Sequence, residues 1–246
     1  GLRIAQLAPA PKVFAMYFPQ FHTFPENDRN WGKGFTEWTL LRPYQAPDVR
    51  KPLNESLGGL GYYDLTSRQT RQRQAEFAKK YGIHGFAMYH YWFTGADVVN
   101  ETVMWRIPHL MQQDGEPNVP FFFTWANEPW SRKWDGGNKD VLIAQSYGDK
   151  DNWKKHFLWL LPYFRDPRYM KTTDGKPLFA IYRPRHMLKK VKPMLDLWTA
   201  LAQEFGFAGI YYIETVTGQK RNIPQLQLAA DVLRPLFDAC LHFVAG

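Results

Sequence analysis

The feature that most constrains this chain is a short, nearly unbroken apolar run that recurs six times, at residues 13–18, 85–90, 120–125, 178–182, 209–213 and 238–243. A strand with one wet face alternates apolar and polar residues, whereas a strand covered on both faces does not. The stretches between the runs have helical character. Residues 67–81 are helical by composition and stop at Gly82. Asp151 stands where a cap would start a helix carrying Trp153, Phe157, Leu160, Leu161 and Phe164 at helical spacing, and residues 187–205 end at Gly206. Strands alternating with helices predict an α/β fold in which helices cover a parallel sheet.

Two architectures share that pattern, an open doubly wound sheet and a (β/α) barrel. The first run is followed by Pro19-Gln20-Phe21-His22, with neither a Gly-x-Gly-x-x-Gly turn nor a P-loop, so a nucleotide-binding open sheet lacks its signature. Functional side chains instead collect where barrel enzymes place them, after the strands. Tyr17, Gln20 and His22 belong to the first strand end, His90, Tyr91 and Trp92 to the second, and Asn127 and Glu128 to the third. Arg183, Glu214 and His242 close the last three. The expectation is one TIM-type barrel domain over residues 1–246, incomplete, with about six of the eight strands that closure needs and its last βα units missing. The connection from Pro19 to Asp64 is far longer than an ordinary βα loop. Its Trp31, Phe35, Trp38, Tyr62 and Tyr63 supply apolar surface to pack over a barrel mouth.

Aromatic residues make up 17% of the chain, ten of them Trp. Most must be core, but a minority are candidate platforms for the flat C–H faces of sugar rings. The formal charge of +8 would suit nucleic acid, an anionic membrane surface or an acidic glycan. No nucleic-acid recognition motif accompanies it. The clusters Arg68, Arg71, Arg73 and Lys189, Lys190, Lys192 read as solvated helix faces, so no nucleic-acid partner is expected. No run is long enough to cross a membrane, and the first residues lack the apolar core of a secretory signal. Together with the single Cys240, which excludes an internal disulfide framework, this leads to the expectation of a cytoplasmic domain. No cofactor or metal is expected, because no His/Asp/Glu cluster has ligand spacing.

Asn127-Glu128-Pro129-Trp130 is the sharpest local feature. A carboxyl among indoles is partly desolvated, which suits it to protonating a glycosidic oxygen. Glu128 is thus the candidate catalytic residue, with substrate contact or an ion pair to Arg132 or Lys133 as the other readings. His90-Tyr91-Trp92-Phe93 combines a hydrogen-bonding ring with stacking surfaces, or else is structural. Trp130, Trp134 and Asp135 fit a sugar ring and its hydroxyls, and Arg132 a uronate or phosphate. The alternative is a loop packed on its own indoles. Glu37 and Glu214 are further carboxylates that a glycosidase would need as partners to Glu128. No Gly-x-Ser-x-Gly elbow is present.

Taken in order, Tyr17-Phe18-Pro19-Gln20-Phe21-His22, Trp31-Gly32-Lys33-Gly34-Phe35-Thr36-Glu37-Trp38, Leu60-Gly61-Tyr62-Tyr63-Asp64-Leu65, Tyr81-Gly82-Ile83-His84-Gly85-Phe86, Trp125-Ala126-Asn127-Glu128-Pro129-Trp130, Trp134-Asp135-Gly136 and the stretch from Tyr163 to Tyr169 resemble the WbsX-like family. That resemblance implies a glycosyltransferase label in O-antigen, capsular or lipopolysaccharide biosynthesis. It also implies a barrel similar to family 99 endo-α-mannosidases. Transfer from an activated donor and cleavage by carboxylates are different chemistries. With no donor-nucleotide motif, the strand-end carboxylates favour hydrolysis or transglycosylation of an oligo- or polysaccharide. Other glycan-biosynthesis domains are the expected partners, and a noncatalytic carbohydrate-binding module is the alternative. The Asn-Glu-Trp-x-Glu-like motif that carries the family 99 carboxylates does not occur here. Leu241-His242-Phe243 stands where the resemblance would put Glu before Phe. The chain by itself is therefore expected to be inactive.

Overall fold

The computed structural model describes residues 11–43, 51–94, 104–131, 140–217 and 234–243. Six parallel strands form its main sheet: β1 (Val13–Tyr17), β2 (Ile83–His90), β3 (Phe121–Trp125), β6 (Leu178–Ile181), β7 (Tyr211–Thr217) and β8 (Ala239–Phe243). The short strands β4 (Trp130–Ser131) and β5 (Val141–Ile143) form a separate antiparallel pair after β3. In the main sheet each strand pairs with the one before and the one after it in the chain, all in parallel. A doubly wound sheet reverses its strand order at a switch point. Here the order never reverses, which is the barrel arrangement, with six strands among the described residues where a closed barrel has about eight.

Helices α3 (Arg68–Lys80), α4 (Arg106–Asp114), α5 (Lys150–Arg165) and α6 (Val191–Glu204) connect these strands. Their apolar faces bury Ala75 and Ala78, Ile107 and Met111, Phe157 and Phe164, and Met194 and Trp198. Gly82 ends the α3 connection at φ 73°, a conformation that costs glycine nothing. Three residues on, a Cβ at Gly85 would come within 2.2 Å of the Pro120 carbonyl oxygen, so only glycine lets β2 approach β3 there. The cap of α5 is Asp149 and not Asp151, because its carboxylate accepts from the backbone N–H groups of Asp151 and Asn152 at 3.1 and 3.2 Å. The crossover from β6 to β7 begins with two 3₁₀ turns, Pro184–His186 and Leu188–Lys190, before α6. Helix α4 and the β4–β5 pair are additions to the elements expected from the sequence.

The sheet has two distinguishable faces. Tyr17 stacks on Phe86 at 4.7 Å, Phe123 meets Tyr163 of α5 at 5.2 Å, and Phe179 meets Trp198 of α6 at 5.1 Å. These residues mark the helix-covered face. Phe14 and Phe122, one position out of phase, meet edge to face at 5.5 Å on the inner face. Arg71 is not on a solvated face. It is fully buried and joins α3 to the end of α4 through both oxygens of Asp114, at 2.9 and 2.6 Å. It also donates to the carbonyls of Leu65 and Glu116.

Candidate functional site

The β3–β6 ladder is extended past its last strand residue by a side chain. The Tyr182 N–H donates to the Trp125 carbonyl at 2.9 Å, and one step further Asn127 takes the place of a peptide group. Its Nδ2 donates to the Arg183 carbonyl at 2.8 Å, and the Arg183 N–H donates to its Oδ1 at 2.7 Å. Only an amide offers a donor and an acceptor side by side in this way. Asn127 is wholly buried, and the next residue, Glu128, is thereby fixed opposite the Arg183 side chain. Arg183 NH1 lies 2.7 Å from Glu128 Oε1, with the two side chains 37% and 27% exposed, so the pair sits at a rim that a ligand can reach.

Phenols surround this pair. The Tyr147 hydroxyl donates to the Asn127 carbonyl at 3.1 Å, Tyr182 lies under the Arg183 guanidinium at 5.4 Å, and Tyr89 meets Tyr182 edge to face at 6.3 Å. Burial, then Tyr182 and Glu128, push the Tyr89 phenol up to about 12. Burial and Glu128 take Tyr147 to about 12 against the opposing Arg183. Tyr91 is raised by burial first, then by Glu128, Tyr89 and Tyr182, and last by Glu37. All three remain neutral O–H groups at physiological pH, able to donate to and accept from hydroxyls.

Next to this cluster lies the folded first loop. Helices α1 (Pro25–Trp31) and α2 (Glu37–Leu41) carry its aromatic residues. Trp31 stacks on Phe35 at 5.3 Å and meets the edge of Trp130, which itself stacks on Phe24. On the other side Trp38 packs on Phe21 at 4.7 Å and donates its indole N–H to the Tyr63 carbonyl at 2.7 Å. Between the two groups is a cavity of about 350 Å³ lined by Phe18, Gln20, Trp31, Glu37, Trp38 and Trp130, with Phe21, Phe35, Leu40 and Leu41. Phe18 continues to Tyr89 at 6.0 Å and so joins this cavity to the strand-end cluster. Burial raises the Glu37 carboxyl to about 7, against its own backbone N–H and the Gln20 side chain, which favour the anion.

The expected site residues divide by geometry. Glu128, Asn127 and Arg183 come together at the ends of β3 and β6, and Gln20, Trp38 and Trp130 line the first-loop cavity. Tyr91 feels both carboxyls, Glu128 and Glu37. His22 is fully buried against Phe24, held neutral with its pKa lowered to about 4 chiefly by burial. Tyr17, His90 and Trp92, expected at the strand ends as substrate contacts, face the helices instead. The Tyr17 hydroxyl donates to Gln74 on α3, the His90 and His156 Nε2 atoms are 2.8 Å apart, and Trp92 stacks flat on His156 at 4.4 Å. Glu214 pairs in register with Ile181 and has the parity of Tyr212, whose hydroxyl donates to the Leu195 carbonyl on α6. Strand alternation turns these four to the helix layer. Trp134 and Asp135, with Arg132 and Lys133, lie outside the described residues, and of His242 only its position on β8 is described. Tyr89, Tyr147 and Tyr182 were not foreseen, although Tyr89 is two residues from Tyr91 and so on its face. The desolvated carboxyl among indoles is Glu37, whereas Glu128 sits with Arg183 and the tyrosines.

Among the described residues no group of three or more His, Cys, Asp or Glu could hold a metal ion, and no helix is long and apolar enough to cross a membrane. The chain is 35% identical over 230 residues to the uncharacterized protein WxcX of Xanthomonas campestris pv. campestris, covering 91% of this chain and 31% of the relative. WxcX of a second strain matches equally, at 35% over 228 residues. The chain thus spans about a third of the length of the curated relatives it matches. Two structures of the GH99 endo-α-mannosidase from Bacteroides thetaiotaomicron align with 95% of the chain and 59% or 61% of their own, at 15% identity and TM-score 0.47. That likeness is too distant to transfer residue roles. Residues 13–243, nearly the whole chain, match the family described as Glycosyltransferase WbsX, and the chain belongs to that family.

Proposed function

We propose that the strand-end face binds an oligo- or polysaccharide and that, in a closed barrel, it makes or breaks glycosidic bonds by hydrolase or transglycosylase chemistry in the building of an O-antigen, capsular polysaccharide or lipopolysaccharide. The observation that carries the proposal is the Glu128–Arg183 pair, fixed by the Asn127 clamp and ringed by phenols. A carboxylate and a guanidinium fixed 2.7 Å apart present fixed acceptors and donors to vicinal hydroxyls, and the phenols add adaptable ones. Family membership supports a glycan as ligand. The absence of a nucleotide-binding turn after β1 favours a carboxylate mechanism over transfer from a nucleotide sugar.

In this reading residues 1–246 are one barrel domain, Glu128 is a substrate-contacting residue and the candidate catalytic carboxylate, and Arg183 orients it. The six strands described here suffice for binding, whereas turnover needs the closed barrel. The test compares this chain with the longer protein that contains it, using α-linked glycans and nucleotide sugars as separate substrates. Both should bind glycan, with only the longer protein turning it over. Arg183→Ala should weaken glycan binding about tenfold, as expected when charge-assisted hydrogen bonds are lost. Glu128→Gln should retain binding and abolish turnover. Turnover unaffected by Glu128→Gln would instead leave a noncatalytic carbohydrate-binding face, and activity with nucleotide sugars alone would overturn the carboxylate mechanism.

A further inference from the structure

The first-loop cavity has walls made almost entirely of rings and leucines, and two polar side chains break that surface. Gln20 is 6% exposed and its Oε1 accepts no hydrogen bond, and Glu37 Oε2 likewise has no partner. Buried polar atoms without partners are costly and rare in folded proteins, and two at one aromatic cavity call for a ligand. At about 350 Å³ the space lies at the small end of ligand pockets, room for one ring and a substituent. Rings on both sides suit a sugar face, and the leucine wall suits a methyl group better than a hydroxyl.

From these groups we infer that the cavity between α1 and α2 is a subsite for a 2-acetamido sugar, with the acetamido group against the unpartnered Gln20 Oε1 and Glu37 Oε2 and its methyl against Leu40 and Leu41. A secondary amide has one donor and one acceptor. The Gln20 Oε1 takes the donor, and a protonated Glu37 donates to the acetamido oxygen. The proton is available because burial among the rings raises the Glu37 carboxyl to about 7. The titratable groups that interact with it do not change charge in that range: burial takes the Tyr63 phenol to about 12, and Tyr91 is raised further. A diol or an ammonium group would prefer the ionised carboxylate and bind better as pH rises. An acetamido group requires the protonated one and binds better as pH falls.

The subsite rests on the reading of this face as a glycan site, and the experiment separates the two. Binding of the methyl α-glycosides of N-acetylglucosamine and glucose to the whole chain is followed by NMR saturation transfer and tryptophan fluorescence, between about pH 5.5 and about pH 8.5. The acetamido sugar should bind roughly fivefold more tightly than glucose at the acid end and lose that preference at the alkaline end, as one neutral hydrogen bond is made or lost. Glu37→Gln, which always carries an amide donor, should keep the preference at every pH, and Glu37→Ala should lack it throughout. Arg183→Ala should leave the preference for the acetamido sugar in place. Equal binding of the two sugars, tighter binding at alkaline pH, or an unchanged pH dependence in Glu37→Gln would overturn the subsite without touching the strand-end proposal. Absence of any glycan binding would overturn both.

Discussion

Asn127 shows how much one side chain can decide. With its two hydrogen bonds to the Arg183 backbone it acts as one more residue of the ladder between β3 and β6, and the positions of Glu128 and Arg183 follow from it. Asn127→Ala leaves both backbone groups of Arg183 without partners and should cost roughly 2–3 kcal/mol of stability. Asn127→Asp should cost more, since a carboxylate oxygen would then face the Arg183 carbonyl where an N–H donated before. Urea denaturation of the three proteins checks the order, and an aspartate variant as stable as the wild type would show that the Asn127 clamp does not hold the strand ends together. Glu37 is the contrasting case. Its chemistry derives from enclosure by rings, so the same carboxyl on an open surface would be an ordinary anion.

At the scale of the element, Arg71 joins α3 to α4 and to the loops beside them. Replacing it with Met keeps much of the packing volume but strands the Asp114 carboxylate and the carbonyls of Leu65 and Glu116. The expected loss is about 3 kcal/mol, the low end for breaking a buried pair because the Asp114 side chain keeps some water contact. An unchanged urea midpoint would show the pair to be dispensable. The six strands were legible as apolar runs, and their order followed from the helices between them. Helix α4 was not, because it is only nine residues long, starts after Trp105 with no side-chain cap and carries Pro108 in its first turn. The faces of the strands were hidden for a related reason. When both faces are apolar, alternation carries no sign, so His90 and Tyr91 or Glu214 and Thr215 look equivalent until a helix is known to lie on one side. Tyr17, His90, Trp92 and Glu214 therefore read as site residues and pack in the helix layer. Asn127, Glu128 and Arg183 were visible because they lie just past strand ends, where parity matters less.

At the scale of the whole molecule, folding keeps the imidazoles of His22, His90 and His156 neutral. The pKa of His22 is lowered to about 4, that of His90 to about 3, and that of His156 well below its ordinary value, in each case mainly by burial. In the unfolded chain each takes up a proton near 6.5. Their contribution to stability is therefore complete above that pH and is lost as the pH falls toward the folded values. Glu37 acts in the opposite sense, because its raised folded value favours the native state below the ordinary carboxylate range and loses that contribution as the pH rises through about 7. Three groups outweigh one between about pH 6.5 and about pH 4.5, so stability should fall on acidification by on the order of 2 kcal/mol per pH unit at the steepest. Guanidinium unfolding at about pH 7 and about pH 5.5 measures this, and a more stable protein at the lower value would contradict it.

The strand order has a consequence for how the molecule is made. Because each strand joins the edge left by the one before it, no strand must wait for a later one to be inserted between it and its neighbour. A chain leaving the ribosome can add β2 to β1, then β3, then β6, laying each crossover helix over strands already present. Synthesis and assembly then run in the same direction. A pause in translation would leave a smaller sheet with one growing edge, the same state from which the next unit proceeds.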